Sequence, residues 1–216
     1  MKIGVFDSGL GGELVAKELR RILPEHEYIV VNDRAHVPYG SRSDVEIIAL
    51  THHAIAPLFD AGCEIIVIAC NTATTVAIDS LRHNFPQIDF IGIEPMIKTA
   101  DLASSTRRVT VLATPTTLQS LRYHHLKQQY GSSLVFDEPQ TDNWASVIEF
   151  GDPKTIDFGD VEKSIAHGSD TIVHACTHYL ALTEKLHRAF DHVQILEPTK
   201  AISKQVARLV AARQVE

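Results

Sequence analysis

Two stretches of this chain repeat each other. Gly62-Cys63-Glu64-Ile65-Ile66-Val67-Ile68-Ala69-Cys70 and Gly168-Ser169-Asp170-Thr171-Ile172-Val173-His174-Ala175-Cys176 carry Gly, an acid, Ile-Val, Ala and Cys at the same places, 106 residues apart. The same displacement lays Ile3-Gly4-Val5-Phe6-Asp7-Ser8 over Val109-Thr110-Val111-Leu112-Ala113-Thr114, and Tyr28-Ile29-Val30-Val31 over Leu134-Val135-Phe136. A Glu-Pro pair closes each half, Glu94-Pro95 and Glu197-Pro198, where the displacement has become 103. Three blocks that hold one displacement in chain order mark an internal duplication. Its 216 residues then give each copy the length of one small domain.

Each copy alternates runs of two kinds. Lys2–Phe6, Glu27–Val31, Ile65–Ala69 and Phe90–Ile93 are β-branched or aromatic runs of strand length, and so are Arg108–Ala113, Ser133–Phe136, Thr171–Ala175 and Val193–Leu196. Helical spacing predicts helices over Glu13–Ile22, Ser43–Phe59 and Thr75–Asn84, then over Thr117–Tyr130, Val161–His167 and Leu182–Ala189, with a last amphipathic one over Lys200–Ala212. Pro24, Pro86, Gly131 and Gly151-Asp152-Pro153 punctuate them. Strand–helix alternation implies parallel sheets covered on both faces. The expected fold is α/β: two pseudosymmetric Rossmann-like domains, each a mainly parallel sheet flanked by helices, with the active site in the cleft between them. Residues 1–97 with a C-terminal helix over 198–216 are expected to form the first domain, and 98–197 the second.

Composition removes several function classes. An apolar fraction of 44% with 22% charged residues supports a buried core rather than a disordered chain. Twenty Lys and Arg against twenty-seven Asp and Glu give a net charge of −7, and no basic run offers phosphates a positive field, so nucleic acid is not an expected partner. No apolar stretch approaches the roughly 20 residues that cross a bilayer, so no membrane partner is expected. The start, Met1-Lys2-Ile3-Gly4-Val5-Phe6-Asp7, reaches an acid too early for a signal peptide. Three cysteines make no disulfide framework and suit the reducing cytoplasm. The expected partner is a small molecule.

In open α/β sheets chemistry gathers just past the strand ends. Those positions hold Asp7-Ser8, Cys70-Asn71-Thr72, Thr114 to Thr117, and Cys176-Thr177-His178-Tyr179. Cys70 and Cys176 end equivalent strands and are expected to begin equivalent helices, whose N-termini lower a thiol's pKa. Two such sulfurs on opposite sides of one substrate could remove a proton from one face of a carbon and return another to the opposite face, inverting it. Cys63, whose counterpart is Ser169, reads instead as a small buried hydrophobe. A rival set, His174, Cys176 and His178, would share one strand face and could ligate zinc, but the sequence offers no fourth ligand, and a strand ending before Cys176 would break the alternation. Gly9-Leu10-Gly11-Gly12 lacks nucleotide-binding spacing and reads as a turn whose N–H groups can hold a carboxylate. Pro38-Tyr39-Gly40-Ser41 reads as a turn after the second strand, and Thr114 as a helix cap. Taken singly, Asp7 or Glu149 would more often be a cap or a solvated acid.

Phe6-Asp7-Ser8-Gly9-Leu10-Gly11-Gly12, Pro38-Tyr39-Gly40, Ala69-Cys70-Asn71-Thr72-Ala73, Ala113-Thr114-Pro115 and Cys176-Thr177-His178-Tyr179 together resemble the bacterial glutamate racemases of the aspartate/glutamate racemase superfamily, from residue 3 to about residue 200. Aspartate racemase relatives share the two cysteines but generally open on a different turn and carry an acid after the second Cys-Thr. The resemblance implies racemisation of glutamate without pyridoxal phosphate, metal or other cofactor. By that resemblance Cys70 takes the α-proton of D-glutamate and Cys176 that of L-glutamate. Asp7 would assist Cys70, and Glu149 and His178 would assist Cys176. Ser8, Pro38, Tyr39, Gly40, Ser41, Asn71, Thr72, Thr114, Thr117 and Thr177 would hold the substrate. A role in supplying D-glutamate for peptidoglycan and a homodimer are further expectations. The chain departs from the pattern in three ways: Leu180 stands where His-Tyr is usually followed by Pro, the second half is short, and Glu138-Pro139-Gln140-Thr141-Asp142-Asn143-Trp144 replaces the usual Cys-Pro before the catalytic Glu. Another substrate of the same superfamily, such as aspartate, and a binding protein that has lost its chemistry are the alternatives.

Overall fold

The computed structural model describes residues 1–213; residues 214–216, at the end of the expected C-terminal helix, lie outside the described residues. The chain divides into two compact units, Met1–Ile93 with the chain from Pro198 onward, and Glu94–Glu197.

The first unit holds four parallel strands, β1 (Lys2–Asp7), β2 (Glu27–Asn32), β3 (Ile65–Ile68) and β4 (Asp89–Gly92), in the order β2-β1-β3-β4. β1 and β3 sit centrally, so their residues are buried almost throughout, as expected of parallel strands covered on both faces. Helices α1 (Gly11–Ile22), α2 (Asp44–Ala54), α3 (Ala56–Asp60) and α4 (Asn71–Asn84) connect them. Phe6, Ile66 and Ile68 pack with Ile47, Leu58 and Leu81 in one apolar cluster. The second unit repeats the plan. Its strands are β5 (Arg108–Ala113), β6 (Val135–Asp137), β7 (Thr171–Ala175) and β8 (Gln194–Leu196), all parallel in the order β6-β5-β7-β8. Its helices are α5 (Ile97–Ala103), α6 (Pro115–Gln119), α7 (Leu121–Tyr130), α8 (Trp144–Phe150), α9 (Gly159–Ala166) and α10 (Thr183–Ala189). The last helix, α11 (Thr199–Arg213), returns to the first unit and packs on α1 and β4. There Arg213 reaches Asp89 at 2.6 Å and Glu64 at 3.1 Å.

Strand register carries the duplication. Ile3 pairs with Ile65, and Val109 pairs with Thr171, each 106 residues further on. The sequence overlay of Tyr28 on Leu134 needs correction: Ile3 pairs with Tyr28 while Val109 pairs with Phe136, so β6 has moved by two residues. A slip of two keeps every side chain on its own face, and hydrophobic alternation therefore cannot detect it. Two expected helices are each broken in two. Ser43–Phe59 divides where Pro57 enters the first turn of α3, and Thr117–Tyr130 divides at Ser120, whose Oγ accepts the Tyr123 N–H at 3.2 Å to start α7. Helices α5 and α8 were not expected.

Candidate active site

The candidate residues assemble as two half-sites, one at the strand ends of each unit. In the first, Asp7 ends β1 fully buried, and the Gly9 N–H donates to its Oδ2 at 2.8 Å. The glycine turn thus holds a carboxylate of the chain itself. A Cβ on Gly12 would lie 2.8 Å from the Asp7 Cβ and 2.7 Å from Asn32 Oδ1, so only glycine lets α1 begin this close to Asp7. Cys70, at the C-terminal end of β3, caps α4: its Sγ accepts the Ala73 N–H at 3.4 Å and lies 3.3 Å from Ser8 Oγ.

The expected lowering of this thiol's pKa is not what the structure gives. Burial, and then the charge of Asp7, push Cys70 up to about 11, outweighing the hydrogen bonds from Ser8 and Ala73 that favour the thiolate. Beside it, Asn71 donates Nδ2–H to the Ile93 carbonyl at 3.0 Å, while its buried Oδ1 has no partner among the described residues. Thr72 is buried alongside. Pro38 precedes a 3₁₀ turn over Tyr39–Ser41 that packs on α4. Tyr39 is buried against Phe6, and its hydroxyl donates to Asp33 Oδ2 at 2.7 Å; Gly40 is half-buried, whereas Ser41 is exposed and donates to the Pro38 carbonyl at 3.3 Å. Asp33, which sequence reasoning missed, therefore fixes the Tyr39 hydroxyl; the spacing Asp33, His36, Tyr39 was its only trace, since His36 Nδ1 lies 2.8 Å from the same carboxylate.

In the second half-site Cys176 follows β7 with an extended backbone (φ −148°, ψ 130°). It begins a 3₁₀ stretch, Thr177–Leu182, and not an α-helix matching α4, which corrects the expected equivalence at this point. Leu180 lies half-buried inside that stretch, so the turn forms without the usual proline. His178 Nδ1 stands 3.9 Å from Cys176 Sγ, and its Nε2 stands 3.0 Å from Glu149 Oε2. Both side chains are buried. Glu149 belongs to α8, so a helix invisible in the sequence delivers the acid that the resemblance had indicated. A carboxylate that orients an imidazole beside a sulfur is an arrangement able to carry a proton to or from that sulfur. Thr114 caps α6, accepting the Thr117 N–H at 3.4 Å and donating to Thr117 Oγ1 at 3.0 Å, and Thr177 is buried beside Cys176.

The rival zinc set does not converge: among the described residues no three His, Cys, Asp or Glu side chains form a group able to hold a metal ion. Cys63 is buried in the apolar cluster ahead of β3. No helix among the described residues is long and apolar enough to cross a membrane. His174 faces the packed interior at the place that Ile68 holds in β3, since Leu112 pairs with His174 as Phe6 pairs with Ile68. Neither of its ring nitrogens has a partner among the described residues, and burial, then the charge of His187, bring its pKa down from 6.5 to about 4. Because the unfolded chain takes up this proton near pH 6.5 and the folded one only near 4, stability falls as pH drops through that window, by about 3 kcal/mol in total. His174→Ile is expected to flatten this acid slope in thermal melts between pH 7.5 and 4.5; an unchanged slope would show that another group sets it.

Known proteins resemble this chain in sequence and in fold. The Asp/Glu/Hydantoin racemase family model matches residues 13–206. A glutamate racemase from Roseiflexus sp. (strain RS-1) is 37% identical over 98% of this chain and 80% of its own length. The crystal structure of Escherichia coli glutamate racemase, in complex with L-glutamate and the activator UDP-MurNAc-Ala, superposes with a TM-score of 0.86 at 26% identity, covering 97% of this chain and 82% of that one. Glutamate racemase from Francisella tularensis subsp. tularensis SCHU S4, in complex with D-glutamate, gives 0.79 at 28% identity, covering 99% and 81%.

Proposed function

The chain belongs to the Asp/Glu/Hydantoin racemase family, and from that premise we propose that it interconverts L- and D-glutamate with two cysteines as the proton carriers, Cys70 addressing the D-enantiomer and Cys176 the L-enantiomer. One observation carries the reading: each of two equivalent strands is followed by a buried cysteine with its own polar company, Asp7 and Ser8 for Cys70, His178 and Glu149 for Cys176. In this reading one thiolate takes the α-proton, forming S–H as the C–H bond breaks. The opposite thiol then gives its proton to the other face of the carbanion, and the product is inverted.

The chain's own groups bear on both difficulties of such a step. The α-proton is weakly acidic, so the developing charge needs fixed donors; well-placed ones contribute about 3–4 kcal/mol each, and the N–H groups at the start of α4 and the hydroxyls of Ser8, Thr72, Thr117 and Thr177 are the proposed ones, with Thr114 orienting Thr117. A thiol held near 11 is mostly protonated at neutral pH. A substrate ammonium beside it, accepted by the unpartnered Asn71 Oδ1, would favour the thiolate and so activate the base on binding. Pro38, Tyr39, Gly40 and Ser41 complete the proposed contacts. The same proposal places the enzyme in the cytoplasm, where free thiols persist, makes its product a supply for peptidoglycan, and includes pairing of two copies on the strength of the family habit alone.

The test is α-proton exchange in D₂O followed by NMR on each enantiomer. Deuterium is expected in both, with inversion seen by circular dichroism; absence of exchange would leave a binding protein. Aspartate turned over faster than glutamate in a panel of L-amino acids would move the substrate within the superfamily.

A further inference from the structure

The segment before α8 is where this chain departs from its resemblance, and it holds a buried junction. Thr141 Oγ1 donates to the Ala113 carbonyl at 2.7 Å, at the very end of β5. The same oxygen accepts from the Tyr179 hydroxyl at 3.0 Å, and the Thr141 carbonyl lies 3.2 Å from that hydroxyl. The Trp144 N–H, opening α8, donates to the Thr141 carbonyl at 3.1 Å. Thr141, Tyr179 and Ala113 are all buried to within 2%. The three elements tied here each carry part of the second half-site: β5 leads into Thr114 and Thr117, α8 carries Glu149, and the 3₁₀ stretch carries Thr177 and His178.

We propose that Thr141 and Tyr179 are positioning residues that set these three segments in one register, so that Glu149, His178 and Cys176 line up for proton transfer. Neither is assigned to touch substrate, and the inference rests on the two-cysteine reading above. A single hydroxyl suits the task because it both donates and accepts, which a packed methyl cannot do. Its loss frees the turn from β5 and leaves a buried carbonyl without its donor. Misplacement by a fraction of an ångström to 1 Å at a reacting group costs up to about 10²-fold in rate.

The experiment compares Thr141→Val, Tyr179→Phe and Thr141→Ser with the unaltered enzyme, each checked by thermal melt for folding. The two forms without the link are expected to lose roughly 10-fold to 10²-fold in kcat, and Thr141→Ser, which keeps the hydroxyl, to stay within a few-fold. The decisive readout is the primary isotope effect. Because a racemisation has an equilibrium constant of one, kcat/KM stays equal in the two directions in every variant. If the Cys176 side alone is misaligned, the isotope effect starting from α-deuterated L-glutamate rises, while that from α-deuterated D-glutamate falls. Folded Thr141→Val with full activity, or a loss that leaves both isotope effects unmoved or moves them together, would overturn the proposal. An unaltered protein that exchanges no α-proton would overturn the two-cysteine reading itself, and this inference with it.

Discussion

Cys70→Ala and Cys176→Ala are each expected to abolish racemisation, with losses on the order of 10³–10⁴-fold, the upper part of what general acid–base catalysis contributes. The competing account of both residues is packing, because each is buried within an apolar cluster. Packing predicts something different: removal of one sulfur costs about 1 kcal/mol of stability and little activity. Cys63 supplies the internal control. It is a free, buried cysteine in the same cluster as Cys70, but it stands ahead of β3 and not at its C-terminal end, and Cys63→Ala should keep full turnover while losing stability to a similar extent. The single variants should also differ from each other in kind. With Cys176 gone, Cys70 can still take a proton from D-glutamate and return it only to the same face, so any residual deuterium uptake is expected in D-glutamate alone and with its configuration kept. Cys70→Ala should show the mirror behaviour with L-glutamate. Inversion that persists in either variant would remove that cysteine from the chemistry.

Much of this site was legible because it stands where buried parallel strands end. The continuous apolar run Ile65–Ile68 is hard to place anywhere but the centre of a covered sheet, its counterpart Thr171–Ala175 is placed there by the repeat, and the residues just past them are then fixed in space. The hidden parts depended on elements from elsewhere in the chain. Helix α8 is a seven-residue helix of Trp, Ala, Ser, Val, Ile, Glu and Phe, in which aromatic and β-branched residues mask helical spacing, and its packing against the 3₁₀ stretch after Cys176 is what brings Glu149 to His178. The protonation of Cys70 escapes local sequence reasoning on similar grounds. Its place at a helix start shows in the sequence and favours the thiolate, whereas what opposes it is burial, which no local pattern reveals, and then the carboxylate of Asp7 on the neighbouring strand. The Thr141 junction joins segments 28 and 38 residues apart, and nothing in the spacing of single hydroxyls marks it.

Asp7→Asn is expected to lower kcat by roughly 10²-fold while making Cys70 more reactive toward an alkylating agent. The opposite signs arise from the two roles of one carboxylate. Burial first, and this charge second, hold the neighbouring thiol up at about 11, so neutralising the charge lets that pKa fall part of the way and raises the thiolate fraction at pH 8. In the proposed mechanism catalysis needs more than a thiolate: a thiol that is to give its proton back must also be able to regain one, and a nearby carboxylate favours the protonated form in which Cys70 would deliver hydrogen to the carbanion. Asparagine preserves shape and can still accept the Gly9 N–H that Asp7 Oδ2 accepts at 2.8 Å, so the turn should survive the change. Alkylation by iodoacetamide, tracked residue by residue with mass spectrometry, would separate Cys70 from Cys63 and Cys176. If alkylation and turnover fall together, Asp7 serves the thiol only by shaping the turn at Gly9; if turnover is unchanged, Asp7 has no part in the proton transfer at Cys70.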